Sequence, residues 1–298
     1  MISGLRVTRI LCSPRWQRKV LCPQFSSSTN LDDIKDEFTR QAAGFENHWS
    51  NRSNKSTTEI MSWVMKHVHI PDNNKMALDV AAGTCIFART LAPHYESVTA
   101  LDTTSAMLEQ GQLKATSENI SNMEFVVGDA SKMPFPDNTF DTVVCRLCVH
   151  HFDNPIAQFK EMSRVLKPGG NCVVADIVSS VVDTEADEHN RLEILRDPSH
   201  TVCITPAKII QLLQDVGLET EIQSTKDSIA NIPTFINPMN LAGWMESTNT
   251  PPHAMVKIER AFEIELNGGS PTGMQAHRDE DGNVCFNHVY VVAQGYAR

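Results

Sequence analysis

The sequence predicts an α/β fold, a parallel sheet covered by helices on both faces. Three observations carry this reading. From Met76 onward, short apolar runs alternate with segments of helical periodicity, the alternation that parallel strands and their crossovers require. The first run ends in a turn of small residues, Ala81-Ala82-Gly83-Thr84. The second ends in an acid, Asp102, 23 positions after Asp79.

Each element follows from local pattern. LDDIKDEFTRQAAGFENHW reads as a helix, and TTEIMSWVMKHV as a second one with Ile60, Trp63, Val64 and Val68 at helical spacing. Pro71-Asp72-Asn73-Asn74 then breaks the chain. MALDV (76–80), SVTAL (97–101), MEFVVG (123–128), DTVVCRL (141–147), NCVVADIVS (171–179) and LETEIQS (218–224) read as six strands in turn. CIFARTLA, SAMLEQGQLKAT, PIAQFKEMSRVL and PAKIIQLLQDVG are the helices between them, the third closed by the turn KPGG. NVCFNHVYVVAQGYAR (283–298) is a last strand without a crossover of the same kind. Ahead of it lies an insertion, 228–282, with a helical stretch AMVKIERAFEIEL and a turn-rich stretch NGGSPTG. A connection of this length within a compact domain is usually a lid or binding element.

Charge is unevenly distributed. Residues 1–31 contain Arg6, Arg9, Arg15, Arg18 and Lys19 and no acid, so the remainder carries 21 basic against 36 acidic side chains. The opening segment, rich in Arg and Ser, has the composition of an organelle transit peptide, expected to be disordered and to direct the chain to mitochondria, or to plastids where the host has them. A basic tail on a cytoplasmic protein is the other reading. The acidic remainder argues against extended nucleic-acid binding, and no apolar stretch approaches the roughly 18–20 residues of a membrane span. The chain thus divides into a leader (1–31), an N-terminal helical lid (32–75) and a main domain (76–298) carrying the insertion. Eight cysteines are scattered, several in apolar runs, as in proteins with reduced, packed thiols. Cys145 and Cys148 form a lone C-x-x-C with no second pair at zinc-finger spacing, so packing is expected there rather than a metal.

Several residues bear chemistry. The small-residue turn after the first strand lets backbone approach a nucleotide-like ligand at a helix N-terminus, in the crevice at the carboxyl ends of the strands. Asp102, ending the second strand, is positioned to accept hydrogen bonds from ribose hydroxyls. These two features equally describe a dinucleotide dehydrogenase. Asp129 and Ala130 follow the third strand, where a carboxylate and a backbone N–H can read an adenine edge.

The series LDVAAGT, ALDTTSAML, GDASKMPFPDNTFD, CVHHF and VLKPGG resembles the type 11 methyltransferase family, within the class I S-adenosylmethionine-dependent enzymes that include the ubiquinone and menaquinone C-methyltransferases. RLEILRDPSH, TPPHAMVKIERAFEIELNGGSPTG and the final strand resemble the bacterial branch, so the resemblance covers about residues 35–298. It implies a Rossmann-like seven-stranded sheet, mostly parallel, whose last strand inserts antiparallel between strands five and six. It also implies S-adenosyl-L-methionine as cofactor. Asp79, Ala81 and Gly83 would line its methionine end, Asp102 would hold the ribose, and Met107 would pack on the adenine. Asp129 and Ala130 would bind the adenine edge, with Arg146 and Leu147 along the methionine part. The family turn ends in glycine where this chain has Cys85; if that position needs φ > 0, cysteine costs about 1–2 kcal/mol.

The acceptor is not fixed by these motifs. In-line methyl transfer gains chiefly from positioning. Where a proton must leave, His151 after the fourth strand is the first candidate base and His48 the second. The segment around Phe45 and the insertion are expected to close over the acceptor, with Phe235, Met239, Trp244 and Met245 as an apolar lining suited to a small molecule. The rival view is that these four merely pack the insertion on the sheet. Two other functional classes share part of the pattern: a non-catalytic, cofactor-binding assembly factor with this fold, and a nicotinamide oxidoreductase, which leaves GDASKMPF and LKPGG unexplained.

Overall fold

The computed structural model describes residues 30–70, 72, 75–222 and 231–298, and within its first helix the side chains of 32, 34–42 and 58 onward. Most of the leader, and the side chains of Phe45 and His48, lie outside the described residues.

Helix α1 (Asn30–Met65) runs unbroken where two helices were expected. Then follow β1 (Met76–Val80), α2 (Ile86–Leu91), β2 (Ser97–Asp102), α3 (Ser105–Ser117), β3 (Met123–Val127), β4 (Phe140–Arg146), α4 (Pro155–Val165) and β5 (Leu166–Ile177). After α5 (Asp183–Arg196) and α6 (Pro206–Asp215) come β6 (Thr234–Asn240), α7 (Leu241–Glu246), α8 (Pro252–Leu266), the short β7 (His277–Arg278) and β8 (Val284–Tyr296).

The sheet has the order β3-β2-β1-β4-β5-β8-β6, with β7 added against β8. The first five strands pair in parallel. β8 runs antiparallel between β5 and β6, bonded to both, as the resemblance implied. The identity of the sixth strand differs from expectation. In LETEIQS only Glu219 forms a bridge, to Tyr296, and 223–230 lie outside the described residues. The strand beside β8 is Thr234–Asn240 instead. Its Pro238 is tolerated because an edge strand leaves one side without a ladder. The expected turn KPGG is part of β5, whose pairing with β4 shifts register between Phe140 and Thr142. Gly170 leaves no room for a Cβ, which would stand 2.8 Å from the Lys167 carbonyl oxygen.

Side chains alternate across each strand, so the sheet buries two cores. Leu78, Val80, Val143 and Cys145 pack toward α4 and α6. Ala77, Val98, Ala100 and Val144 pack toward α2, α3 and Ile60, Met61 and Val64 of α1. A third cluster joins Leu192 of α5 to Trp244, Met245, Ile258, Phe262 and Phe286. β1 leads outward to β2 and β3, and the chain then returns to β4 on β1's other side. That reversal opens a crevice above the strand tips, the position where open α/β sheets bind ligands.

Candidate functional site

A cavity of about 1140 Å³ fills the crevice. Ligand pockets commonly measure roughly 300–1,000 Å³, so this one has room for a nucleoside-sized ligand and a second molecule. One end is formed by the tips of β1, β2 and β3, and the other by β6, α7 and β8. Ile34, Phe38, Gln41 and Met61 of α1 also face it.

Ala81, Gly83, Asp102, Met107, Asp129, Ala130, Arg146 and Leu147 all border the cavity. At the nucleoside end, Asp102 takes hydrogen bonds from the Gly83 N–H and the Thr104 N–H, both 2.8 Å, one on each oxygen. An ionised carboxylate has about four acceptor positions, more than these two bonds use. Asp129 caps its own loop by accepting from the Ser131 N–H at 2.7 Å. Asp79 is the exception. It does not border the cavity. It is 2% exposed, and burial pushes its carboxyl up to about 7 while Arg146 pulls the other way.

Three strained backbone positions lie here. Ala81 (φ 54°), Cys85 (φ 60°) and Leu147 (φ 54°) are left-handed, a conformation that costs non-glycine residues about 1–2 kcal/mol and gathers at ligand sites. Cys85 therefore stands where the chain demands φ > 0. Gly111 on α3 makes space for its thiol, since a Cβ there would lie 2.5 Å from Cys85 Sγ.

Two features fit S-adenosylmethionine. Nothing lies within 4 Å of where a Gly83 side chain would begin, which leaves the turn open to a ligand. Arg146 borders the cavity, its pKa lowered by burial and pulled back up in part by the Asp79 charge.

Past Arg146, the chain delivers two histidines into the wall. His150 Nδ1 lies 2.5 Å from Asp176 Oδ1. Asp176 is itself fixed by the N–H groups of Cys148, Val149 and Ile177. Burial works against a charge on His150, but the Asp176 carboxylate outweighs it and raises the pKa. His151, with its ring 4.3 Å from that of His150, behaves oppositely. Burial and the charge of His150 lower it to about 4, and its Nδ1 lies 3.0 Å from the Ser199 carbonyl. The sequence reading weighed the pair His150-His151 but favoured His151, and it missed Asp176. The available signal was an aspartate inside the apolar run NCVVADIV.

The far end mixes apolar side chains with polar and charged ones, among them Asn237, Glu246, Arg196, Asp197 and His288. Phe235, Met239 and Trp244 border the cavity, and Trp244 also packs in the third core cluster. Met245 does not border the cavity; it packs in the same cluster. The Phe38 and His151 rings meet edge-on at 5.2 Å, so α1 closes one side. Cys145 and Cys148 lie with Sγ atoms 2.6 Å apart in the core. Burial raises both thiols.

Residues 78–174 match a family model described as a methyltransferase domain. The uncharacterized methyltransferase YcgJ of Bacillus subtilis is 36% identical over 124 residues, 41% of this chain and 49% of that protein. A demethylmenaquinone methyltransferase of Staphylococcus haemolyticus is 40% identical over 114 residues, 37% of this chain and 46% of that protein. The chain thus spans about half the length of these curated relatives. The crystal structure of YcgJ superposes with a TM-score of 0.70 at 24% identity, covering 80% of this chain and 97% of that one. The fold is that of the class I methyltransferases, and residues 78–174 carry a type 11 methyltransferase domain. Its cofactor is S-adenosylmethionine.

Proposed function

We propose that the whole chain catalyses methyl transfer from S-adenosylmethionine to a small, largely apolar acceptor held beneath α1. The observation that carries this reading is the continuity of the cavity. It runs from Asp102 and Asp129 past Arg146 to Phe38, Phe235, Met239 and Trp244 without a partition. The cofactor supplies a methyl group on a sulfonium; the chain supplies alignment of the acceptor and exclusion of water. A relative named for demethylmenaquinone methylation favours an aromatic, quinone-like acceptor.

Where the acceptor must lose a proton, His150 is the better-prepared base. Its Nδ1–H donates to Asp176, which fixes the tautomer and leaves Nε2 basic. His151 stays neutral at physiological pH, and its place on the wall suits contact with the acceptor. The basic leader favours an organelle location, mitochondria first. Incubating the protein with methyl-labelled cofactor and a lipid-soluble organelle extract, followed by mass spectrometry, tests the reading. One labelled small molecule is expected. Label found only on protein or nucleic acid overturns it.

A further inference from the structure

The acceptor end of the cavity wall contains side chains that methyl transfer does not use. His189 and Glu193 stand one turn apart on α5, and His288 faces them from β8. All three are buried, at 2%, 0% and 5% exposure. Glu193 Oε1 lies 3.1 Å from His288 Nε2 and 3.7 Å from His189 Nε2. Among the described residues they are the one group of three such side chains whose donor atoms all lie within 4.8 Å of each other.

Two details distinguish this cluster from an ordinary buried ion pair. Among the described residues neither ring nitrogen of His189 has a partner at hydrogen-bond distance, Glu193 Oε1 standing off at 3.7 Å, although a buried polar group left unpaired costs about 1–3 kcal/mol. The two oxygens of Glu193 are also divided: Oε2 is held by Arg196 Nε at 2.9 Å while Oε1 faces both imidazoles. Arg196 is fixed in turn over the Trp244 ring, 4.9 Å from its centroid. This is how an outer-shell cation orients a ligating carboxylate.

We infer that His189, Glu193 and His288 bind a divalent transition metal of the zinc or iron(II) class. Metal–ligand bonds of about 2.0–2.2 Å in tetrahedral geometry set ligand atoms about 3.4 Å apart, and the two measured separations bracket that value. Two imidazoles and one carboxylate are a known donor set for both ions. Such a three-ligand site keeps a position for a water or a substrate oxygen. His288, Arg196 and Trp244 border the cavity while His189 and Glu193 lie behind them, so the metal sits in the wall of the acceptor end. Coordination of an acceptor oxygen there rests on the proposed function; metal binding itself does not.

The test uses the full chain, stripped with chelator and titrated with Zn²⁺ by calorimetry and with Co²⁺ by visible absorption. One ion per chain is expected, with a nitrogen- and oxygen-ligated Co²⁺ spectrum. His189→Gln and His288→Gln, checked for folding by circular dichroism, are each expected to weaken Zn²⁺ binding by about 100-fold or more. The wild-type titration stands even if a variant fails to fold. Absence of saturable binding by the wild type, a thiolate-to-cobalt band, or unchanged affinity in folded variants overturns the inference.

Discussion

Replacing Gly111 by alanine tests the strained turn at the nucleoside end. The new Cβ would meet Cys85 Sγ at 2.5 Å, Cys85 Cβ at 2.9 Å and the Thr84 carbonyl oxygen at 3.0 Å. Overpacking of this kind costs about 1–3 kcal/mol, offset by up to ~1 kcal/mol from the better helix propensity of alanine. The net expectation is a loss of about 0.5–2 kcal/mol. Cys85→Gly alone should be nearly neutral. It relieves about 1–2 kcal/mol of left-handed strain but removes a buried side chain and adds chain entropy to the unfolded state. With Cys85→Gly in place, the two shortest contacts are gone and the Thr84 carbonyl oxygen at 3.0 Å remains, and Gly111→Ala should become close to neutral. Urea denaturation of the four proteins reads the coupling directly, and about 1–2 kcal/mol is expected. Additivity within ~0.5 kcal/mol, the behaviour of independent sites, would refute the claim that Gly111 exists to house the Cys85 thiol.

If the acceptor loses a proton, turnover should rise with pH through the raised pKa of His150, above 6.5, because only the neutral imidazole accepts a proton. Asp176→Asn should move that rise to lower pH, and His150→Ala should cut turnover by about 10²-fold while leaving cofactor affinity intact; a profile unmoved by Asp176→Asn counts against the dyad. Residues 1–31 fused to a fluorescent reporter should carry it to mitochondria, and diffuse cytosolic fluorescence would exclude the targeting role.

The parallel half of the sheet was legible because strands buried on both faces read as continuous apolar runs, as in MALDV and TVVCRL. Asp102, Asp129 and Arg146 came with it, since strand tips follow once strands are found. β6 was not legible. Thr234–Asn240 reads TFINPMN, with Pro and Asn residues typical of a loop, and its strand character comes from pairing with β8. LETEIQS had the better alternation yet contributes one bridge. The polar stretch SNRSNKST suggested a break in α1, but the backbone stays helical through it. The His150–Asp176 pair joins residues 26 positions apart, and no local periodicity announces such a meeting. His189 and Glu193 did carry a signal, a His and a Glu at helical i,i+4 spacing, but their partner His288 lies 95 residues beyond Glu193.

The central claim is that this cavity holds S-adenosylmethionine with its ribose on Asp102. Among the described residues no helix is long and apolar enough to cross a membrane. Isothermal titration should give saturable, one-to-one cofactor binding to the wild type. Asp102→Ala should weaken it by about 1.5–3 kcal/mol, the loss expected for charge-assisted hydrogen bonds. Unchanged affinity in that variant, or tight binding of a nicotinamide dinucleotide in place of S-adenosylmethionine, would contradict the account.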